Sequence, residues 1–200
     1  MHENAKLIYK KHVIPELSNG LKVLEIGPDA FPSTLQGLST GLDFACWHTL
    51  DIYSRAELTY TATDPYQFDI PSESYDLVIS AQVLEHVRMP WRWMPELARV
   101  TKTGGRVVTI VPVSWTYHEA PVDCWRIYPE GMRALHEEAG LETELALWES
   151  LETPQYKRSI PGNSMGDQGR RERFYKIFGP LGFPVERSYD TLAIGRKPSA

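Results

Sequence analysis

Absences narrow this sequence before any motif does. It has 2 cysteines, Cys46 and Cys124, too few and too isolated for a disulfide framework or a Cys-x-x-Cys pair, so both read as packing thiols of a reducing compartment. It has no run of about 18 apolar residues, so no membrane-spanning helix is written in it. The opening MHENAKLIYKKHVIPELSNG also lacks the uninterrupted apolar stretch of a secretory signal, and the expected location is the cytoplasm. Positive charge is scarce: 21 Lys and Arg against 26 Asp and Glu give a net charge of −5. That balance argues against a broad phosphate-binding surface, and neither DNA nor RNA is an expected partner. No internal repeat is present.

What is present is 42% hydrophobic residues, enough for a sizeable core in one domain. From Lys6 to Leu17 apolar residues form a rough helical stripe that ends near Ser18-Asn19-Gly20. KVLEI, WHTLDI, LTYTAT, YDLVIS and RVVTIVPV then follow as short runs rich in β-branched and aromatic residues, five candidate strands. Between the last two, PELARV and the closing Gly104-Gly105 read as a helix with a glycine stop, which makes a βαβ unit. PEGMRALHEEAG carries Pro129 near a helix start and Gly140 at its end, and LETELALWE and YDTLAIGRK read as two further strands. The expected fold is therefore α/β: a Rossmann-like, seven-stranded, mostly parallel sheet with helices on both faces and an antiparallel closing strand.

The first strand runs into a loop poor in glycine, VLEIGPDAFPS. Gly27 permits a sharp turn, but the positions after it are Pro28, Asp29, Ala30, Phe31 and Pro32, so the Gly-x-Gly-x-x-Gly cradle of a dinucleotide is missing. Asp29 adds negative charge where two phosphates would sit. A nicotinamide-dependent oxidoreductase or sugar epimerase is disfavoured on that ground, and a ligand without phosphates suits the loop better.

LEIGP, then LDI, then TATDPYQFDIPSESYDLVISAQVLEHV and ELARVTKTGGRVV together resemble the class I S-adenosylmethionine-dependent methyltransferases, over roughly residues 20 to 145. The group with LEH after the fourth strand is most similar. The resemblance implies a cofactor-binding core at 20–150, flanked by an N-terminal helix at 1–19, an insertion or lid at 153–187 and the closing strand at 188–197, all in a single methyltransferase domain over 1–200. It implies S-adenosylmethionine as cofactor, with Glu25, Gly27 and Pro28 against the methionine part and Asp51 and Ile52 at the ribose. Asp64 and Pro65 would meet the adenine, and Ser80 and Gln82 would line the same cleft. Two departures stand out. Asp29 replaces a second glycine, which Asp tolerates at positive φ better than most residues; Pro65 removes a backbone donor near the adenine. Each position also has a structural reading: Glu25 as a cap, Asp51 as a turn residue, Asp64-Pro65 as a turn pair. Asp69 and Asp76 read as structural.

SWTYHEAPVDCWRIYPEGMRAL, residues 114 to 135, packs His, Glu, Asp, Arg, Trp and Tyr into a short segment at the carboxyl end of a strand. It resembles a pattern of many bacterial members of the same group. His118 is the candidate general base, Asp123 its orienting carboxylate or an acceptor ligand, and Arg126 a grip on an anionic group or a partner for Asp123. Tyr117, Trp125 and Tyr128 are candidates to wall the pocket. His86 ranks below His118. No His-x-x-x-His or acidic ligand cluster suggests zinc, and no metal is expected, although His118 and Asp123 could share a divalent ion. The basic stretch Gly169 to Lys176 reads as a solvated face or a lid contact.

Three classes of function follow. The leading one is methyl transfer to an oxygen, less so a nitrogen, of a small polar acceptor such as a sugar or secondary-metabolite precursor, with a homodimer as a possible assembly. The second is a non-catalytic cofactor-binding subunit, for which exposed Trp91, Trp93 and Met94 would form an interface. The third, the nucleotide-dependent oxidoreductase, is already opposed by the loop.

Overall fold

The computed structural model describes residues 1–115, 117–119, 121–152 and 188–199. The expected insertion at 153–187, with its basic stretch, lies outside the described residues. Seven strands form the sheet: β1 (Lys22–Ile26), β2 (Cys46–Asp51), β3 (Tyr60–Thr61), β4 (Tyr75–Ala81), β5 (Thr101–Pro112), β6 (Glu142–Glu149) and β7 (Asp190–Arg196). Their order is β3-β2-β1-β4-β5-β7-β6. All neighbours from β3 to β5 pair in parallel, while β7 runs antiparallel to both β5 and β6. The expected mixed sheet with an antiparallel closing strand is present, although LTYTAT yields only a two-residue strand.

The helices α1 (Glu3–Ile8), α2 (Thr34–Leu38), α3 (Pro90–Val100) and α4 (Pro129–Glu138) divide between two apolar layers. On one face Ala5 and Ile8 of α1, Tyr9 just after it and Leu35 of α2 pack on Val23, Ile79 and Ile110. On the other, Trp93, Met94 and Leu97 of α3 and Met132 of α4 pack on Leu24, Val78 and Val107. The even and odd positions of each central strand thus serve opposite layers, which is why β1 and β4 read as continuous apolar runs.

Four local readings are corrected. Helix α3 begins at Pro90, five residues before PELARV, with Pro95 accommodated inside it. It passes directly into β5, so Gly104-Gly105 are not its stop but part of the strand. A Cβ at Gly105 would lie 2.8 Å from the Asp76 carbonyl oxygen, which explains the residue. The early start also turns Trp93 (2% exposed) and Met94 (0%) inward, leaving Trp91 at 49% exposed. The three do not form a surface patch. Cys124 is exposed rather than packed.

Asn4 fastens the N-terminal segment over the sheet. Its side-chain amide donates to Asp190 Oδ2 (2.7 Å) and to the Glu149 carbonyl (3.0 Å), and its Oδ1 accepts from Leu151 N–H (2.7 Å). Among the described residues no helix is long and apolar enough to cross a membrane.

Candidate active site

Strand order reverses between β1 and β4, the point at which open α/β sheets bind ligands at the carboxyl ends of their strands. A cleft of about 350 Å³ opens there. β1 leads to Gly27, whose φ is +71° and whose N–H donates to the Leu50 carbonyl (2.8 Å). A Cβ at this position would sit 2.4 Å from Val83 Cγ2. Conformation and space both demand glycine, and a ligand can approach bare backbone.

β2 ends in Asp51, whose carboxylate accepts from the Arg55 guanidinium (2.5 Å) and from Tyr53 N–H (3.2 Å). Arg55 also donates to the Pro28 carbonyl (3.1 Å) and lies over the Phe31 ring, 5.3 Å from its centroid. It therefore straps the loop after β1 to the end of β2.

The residues expected at the cofactor divide into two sets. Gly27, Pro28, Asp51, Ile52, Pro65 and Gln82 line the cleft. Glu25, Asp64 and Ser80 do not. Glu25 is 2% exposed beneath the loop, where it accepts from the Ser33 hydroxyl and from Trp47 Nε1–H (2.8 Å). Burial pushes its carboxyl up to about 7 against the pull of those two hydrogen bonds. Ser80 is buried within the sheet. Asp64 accepts from Tyr66 N–H (2.8 Å) and so fixes a turn, which presents Pro65, Tyr66 and Phe68 to the cleft in its place. Gln82 follows β4 at φ +61°, a left-handed conformation that costs a non-glycine residue about 1 kcal/mol. Its amide donates to Asp190 Oδ1 (2.9 Å), tying this rim to β7. Asp29 does not take positive φ; its carboxylate accepts from Thr34 N–H (2.9 Å) and Oγ1–H (2.7 Å) and braces the start of α2.

The segment after β5 folds back onto a 3-10 turn, Leu84–His86, through Cys124 N–H donating to the Glu85 carbonyl (2.8 Å). Within it Asp123 forms a two-pronged pair with Arg126 (2.6 and 2.7 Å) and accepts from the His118 backbone N–H (2.8 Å). Burial raises the Asp123 carboxyl, but Arg126 and the His118 N–H outweigh that and hold it below the usual carboxylate range. Arg126 also donates to the Trp115 and Trp125 carbonyls, so much of its hydrogen-bonding capacity is taken up inside the loop. A shallower hollow of about 290 Å³ gathers Tyr117, Asp123, Trp125 and Arg126. Tyr128, 57% exposed, stands at the start of α4 outside both cavities.

His86, which ranks below His118 in the sequence, lines the cleft. Its Nδ1 faces the Val122 carbonyl, and its ring packs edge-on to His118 with centroids 5.0 Å apart. Burial lowers its pKa, with the Val122 carbonyl acting the other way. Glu85 beside it is 1% exposed, and burial pushes its carboxyl up to about 8. LEH is the only local signal for either residue.

Sheet order and cleft define a Rossmann-like α/β domain with a ligand cleft at the switch point of its sheet. More particularly, residues 42–109 match the family described as a methyltransferase domain. No curated protein matches the sequence. The fold is shared with the methyltransferase chain of the Haloferax volcanii complex with the Trm112 methyltransferase activator, at 17% identity over 98% of this chain and 93% of that one (TM-score 0.62). It is shared with Haemonchus contortus phosphoethanolamine N-methyltransferase 2 in complex with S-adenosyl-L-methionine, at 13% identity over 98% of this chain and 53% of that one (TM-score 0.61). It is shared also with the [4+2]-cyclase SpnF, at 15% identity over 98% and 80% (TM-score 0.59).

Proposed function

We propose that this protein transfers a methyl group from S-adenosylmethionine to an oxygen, in preference to a nitrogen, of a small polar acceptor such as a sugar or secondary-metabolite precursor. The cleft between Gly27 and Asp51 carries this reading. It offers bare backbone at one end, a carboxylate at the other and apolar walls from Ile52, Pro65 and Phe68. Those surfaces fit a zwitterionic amino acid, a ribose diol and an adenine, and the loop has no cradle for a pyrophosphate. The methyltransferase-domain match over 42–109 supports the same reading.

When bound, the cofactor supplies a methyl group on a sulfonium, which needs alignment and exclusion of water more than activation. Asp51 accepts hydrogen bonds from the ribose hydroxyls, exchanging part of its contact with Arg55. Gly27 and Pro28 bear on the methionine part through the backbone, with Glu25 positioning the loop from below. Asp64 sets the turn that presents Pro65, and Ser80 and Gln82 set the end of β4. On the acceptor side His118 acts on the hydroxyl that is to be methylated. Asp123 orients His118, Arg126 holds Asp123, and Tyr117 and Trp125 wall the acceptor. Tyr128 lies too far out for that role.

Calorimetric titration with S-adenosylmethionine, S-adenosylhomocysteine and NAD tests the cleft. The first two bind and NAD does not, and Asp51→Ala weakens both by at least about 10-fold, or 1.4 kcal/mol. Binding of NAD alone would overturn the cofactor assignment. His118→Ala lowers turnover on a responsive hydroxylated acceptor by about 100-fold with cofactor affinity kept. SpnF carries a cyclase's name on this fold, so the assay must detect methylated product. Cofactor binding with turnover only in the presence of a partner chain would favour the second reading, a subunit that works within a complex.

A further inference from the structure

Among the described residues one cluster, which takes in His118 of the acceptor side, has the donor set of a metal centre. Glu85, His86 and His118 each bring one ligand atom to within 4.8 Å of the others. Glu85 is the unusual member. Its side chain is fully buried, and among the described residues neither carboxylate oxygen has a hydrogen-bond partner. An uncompensated buried carboxylate is costly, and such groups are ordinarily paired or coordinate a metal. Glu85 Oε1 stands 3.7 Å from His86 Nε2.

The two imidazoles are oriented as metal-bound histidines are. Val122 supplies a carbonyl, which can only accept, so Nδ1 of His86 carries the proton and Nε2 keeps its lone pair toward Glu85. A carboxylate stands behind the other ring, with Asp123 Oδ2 3.6 Å from His118 Nδ1. A carbonyl or carboxylate behind a ligating histidine is the usual outer shell of such sites. Bonds of about 2.0–2.2 Å to nitrogen and oxygen require the donors to draw together, which rotation of the His118 ring on its loop can supply.

We propose that Glu85, His86 and His118 bind one first-row divalent cation, of the zinc, cobalt or manganese type, at the wall of the cleft. Two imidazoles and one carboxylate suit these ions, whereas magnesium and calcium prefer sites built from oxygen alone. Three protein ligands leave at least one position open, and His86 places that position beside the cleft. The use of the ion, though not its binding, rests on the methyl-transfer reading. An acceptor hydroxyl in the open position gives its proton to solvent water, and the electron pair left on oxygen forms the C–O bond as the C–S pair returns to sulfur. His118 then acts through the ion rather than by taking the proton itself.

The test begins with protein stripped by chelator and titrated with Zn²⁺, and with Co²⁺ for its visible absorption, with and without S-adenosylhomocysteine. One equivalent of Zn²⁺ binds with a micromolar or lower dissociation constant, and Co²⁺ develops ligand-field bands. Glu85→Gln and His118→Ala each weaken binding by at least about 10-fold. Relief of the buried carboxylate could alter the folding of Glu85→Gln, so the wild-type Co²⁺ form gives a second readout, hyperfine-shifted imidazole N–H resonances from two histidines. Absence of stoichiometric binding by the folded wild type, or undiminished binding in both variants, overturns the site. Metal binding without S-adenosylhomocysteine binding would retain the site and remove the methyl-transfer reading; the converse would do the opposite.

Discussion

Gly27→Ala abolishes measurable S-adenosylmethionine binding at concentrations that saturate the wild type and lowers the melting temperature by about 6 to 12 °C. Two penalties combine. Alanine at φ +71° costs about 1 kcal/mol from its backbone conformation. Its Cβ, 2.4 Å from Val83 Cγ2, forces an overpacking strain of about 1 to 3 kcal/mol. Their sum, about 3 kcal/mol, corresponds to that shift in a domain of this size. The relief available is displacement of Val83, and Val83 itself lines the cleft, so the fold and the pocket cannot both be spared. Gly20→Ala is the control. Gly20 also has positive φ, at +81°, but a Cβ there meets nothing within 4 Å. It loses about 1 kcal/mol of stability and leaves cofactor binding unchanged. Equal cofactor affinity in both variants would show that the ligand does not sit against Gly27.

That contrast marks what the sequence can and cannot disclose. A glycine ending an apolar run pointed to the cleft, and the lack of a second glycine argued against a pyrophosphate there. The acid at the end of WHTLDI pointed to its other wall in the same way. Both inferences rest on a local rule: the ends of parallel strands face the ligand. The same rule does not carry to Glu25 and Ser80, because a residue one position before the strand end can already be enclosed, Glu25 beneath the loop and Ser80 within the sheet. Trp93 reads as a packing residue, and only the second function class placed it with Met94 in an interface; the structure buries both. With α3 begun at Pro90 the stripe Trp93, Leu97, Val100 has the spacing of one helix face, and the late start inferred from PELARV hid it. The meeting of Glu85 and His86 with His118 had no sequence signal beyond LEH. It depends on a non-local contact, the Cys124 N–H to the Glu85 carbonyl, which no periodicity encodes.

Glu25→Gln raises stability by about 3 kcal/mol at pH 8 and has almost no effect at pH 4. The carboxyl of Glu25 is buried and held near 7 in the folded protein, against an ordinary value of 4.5. Below pH 4.5 the side chain is protonated in both folded and unfolded chains, so its titration contributes no difference between variant and wild type. Between 4.5 and 7 the unfolded chain releases its proton while the folded one retains it, and wild-type stability falls with rising pH. Above 7 both are ionised, and the full penalty of about 2.5 pH units, at 1.36 kcal/mol per unit, persists. Glutamine can still accept from the Ser33 hydroxyl and Trp47 Nε1–H and never ionises. The gap between the two proteins therefore opens through the interval from pH 4.5 to 7 and is flat beyond it. Melting curves at half-unit steps from pH 4 to 8.5 read this directly, with the variant ahead by about 6 to 12 °C at the alkaline end. Parallel curves would mean that Glu25 ionises as easily inside the fold as outside, which its burial beneath the loop opposes. Because Glu25 lies outside the cleft lining, the comparison also separates the two uses of a buried acid: a gain in stability accompanied by a loss of cofactor affinity would show that its negative charge is kept, at a cost in stability, for the ligand above it.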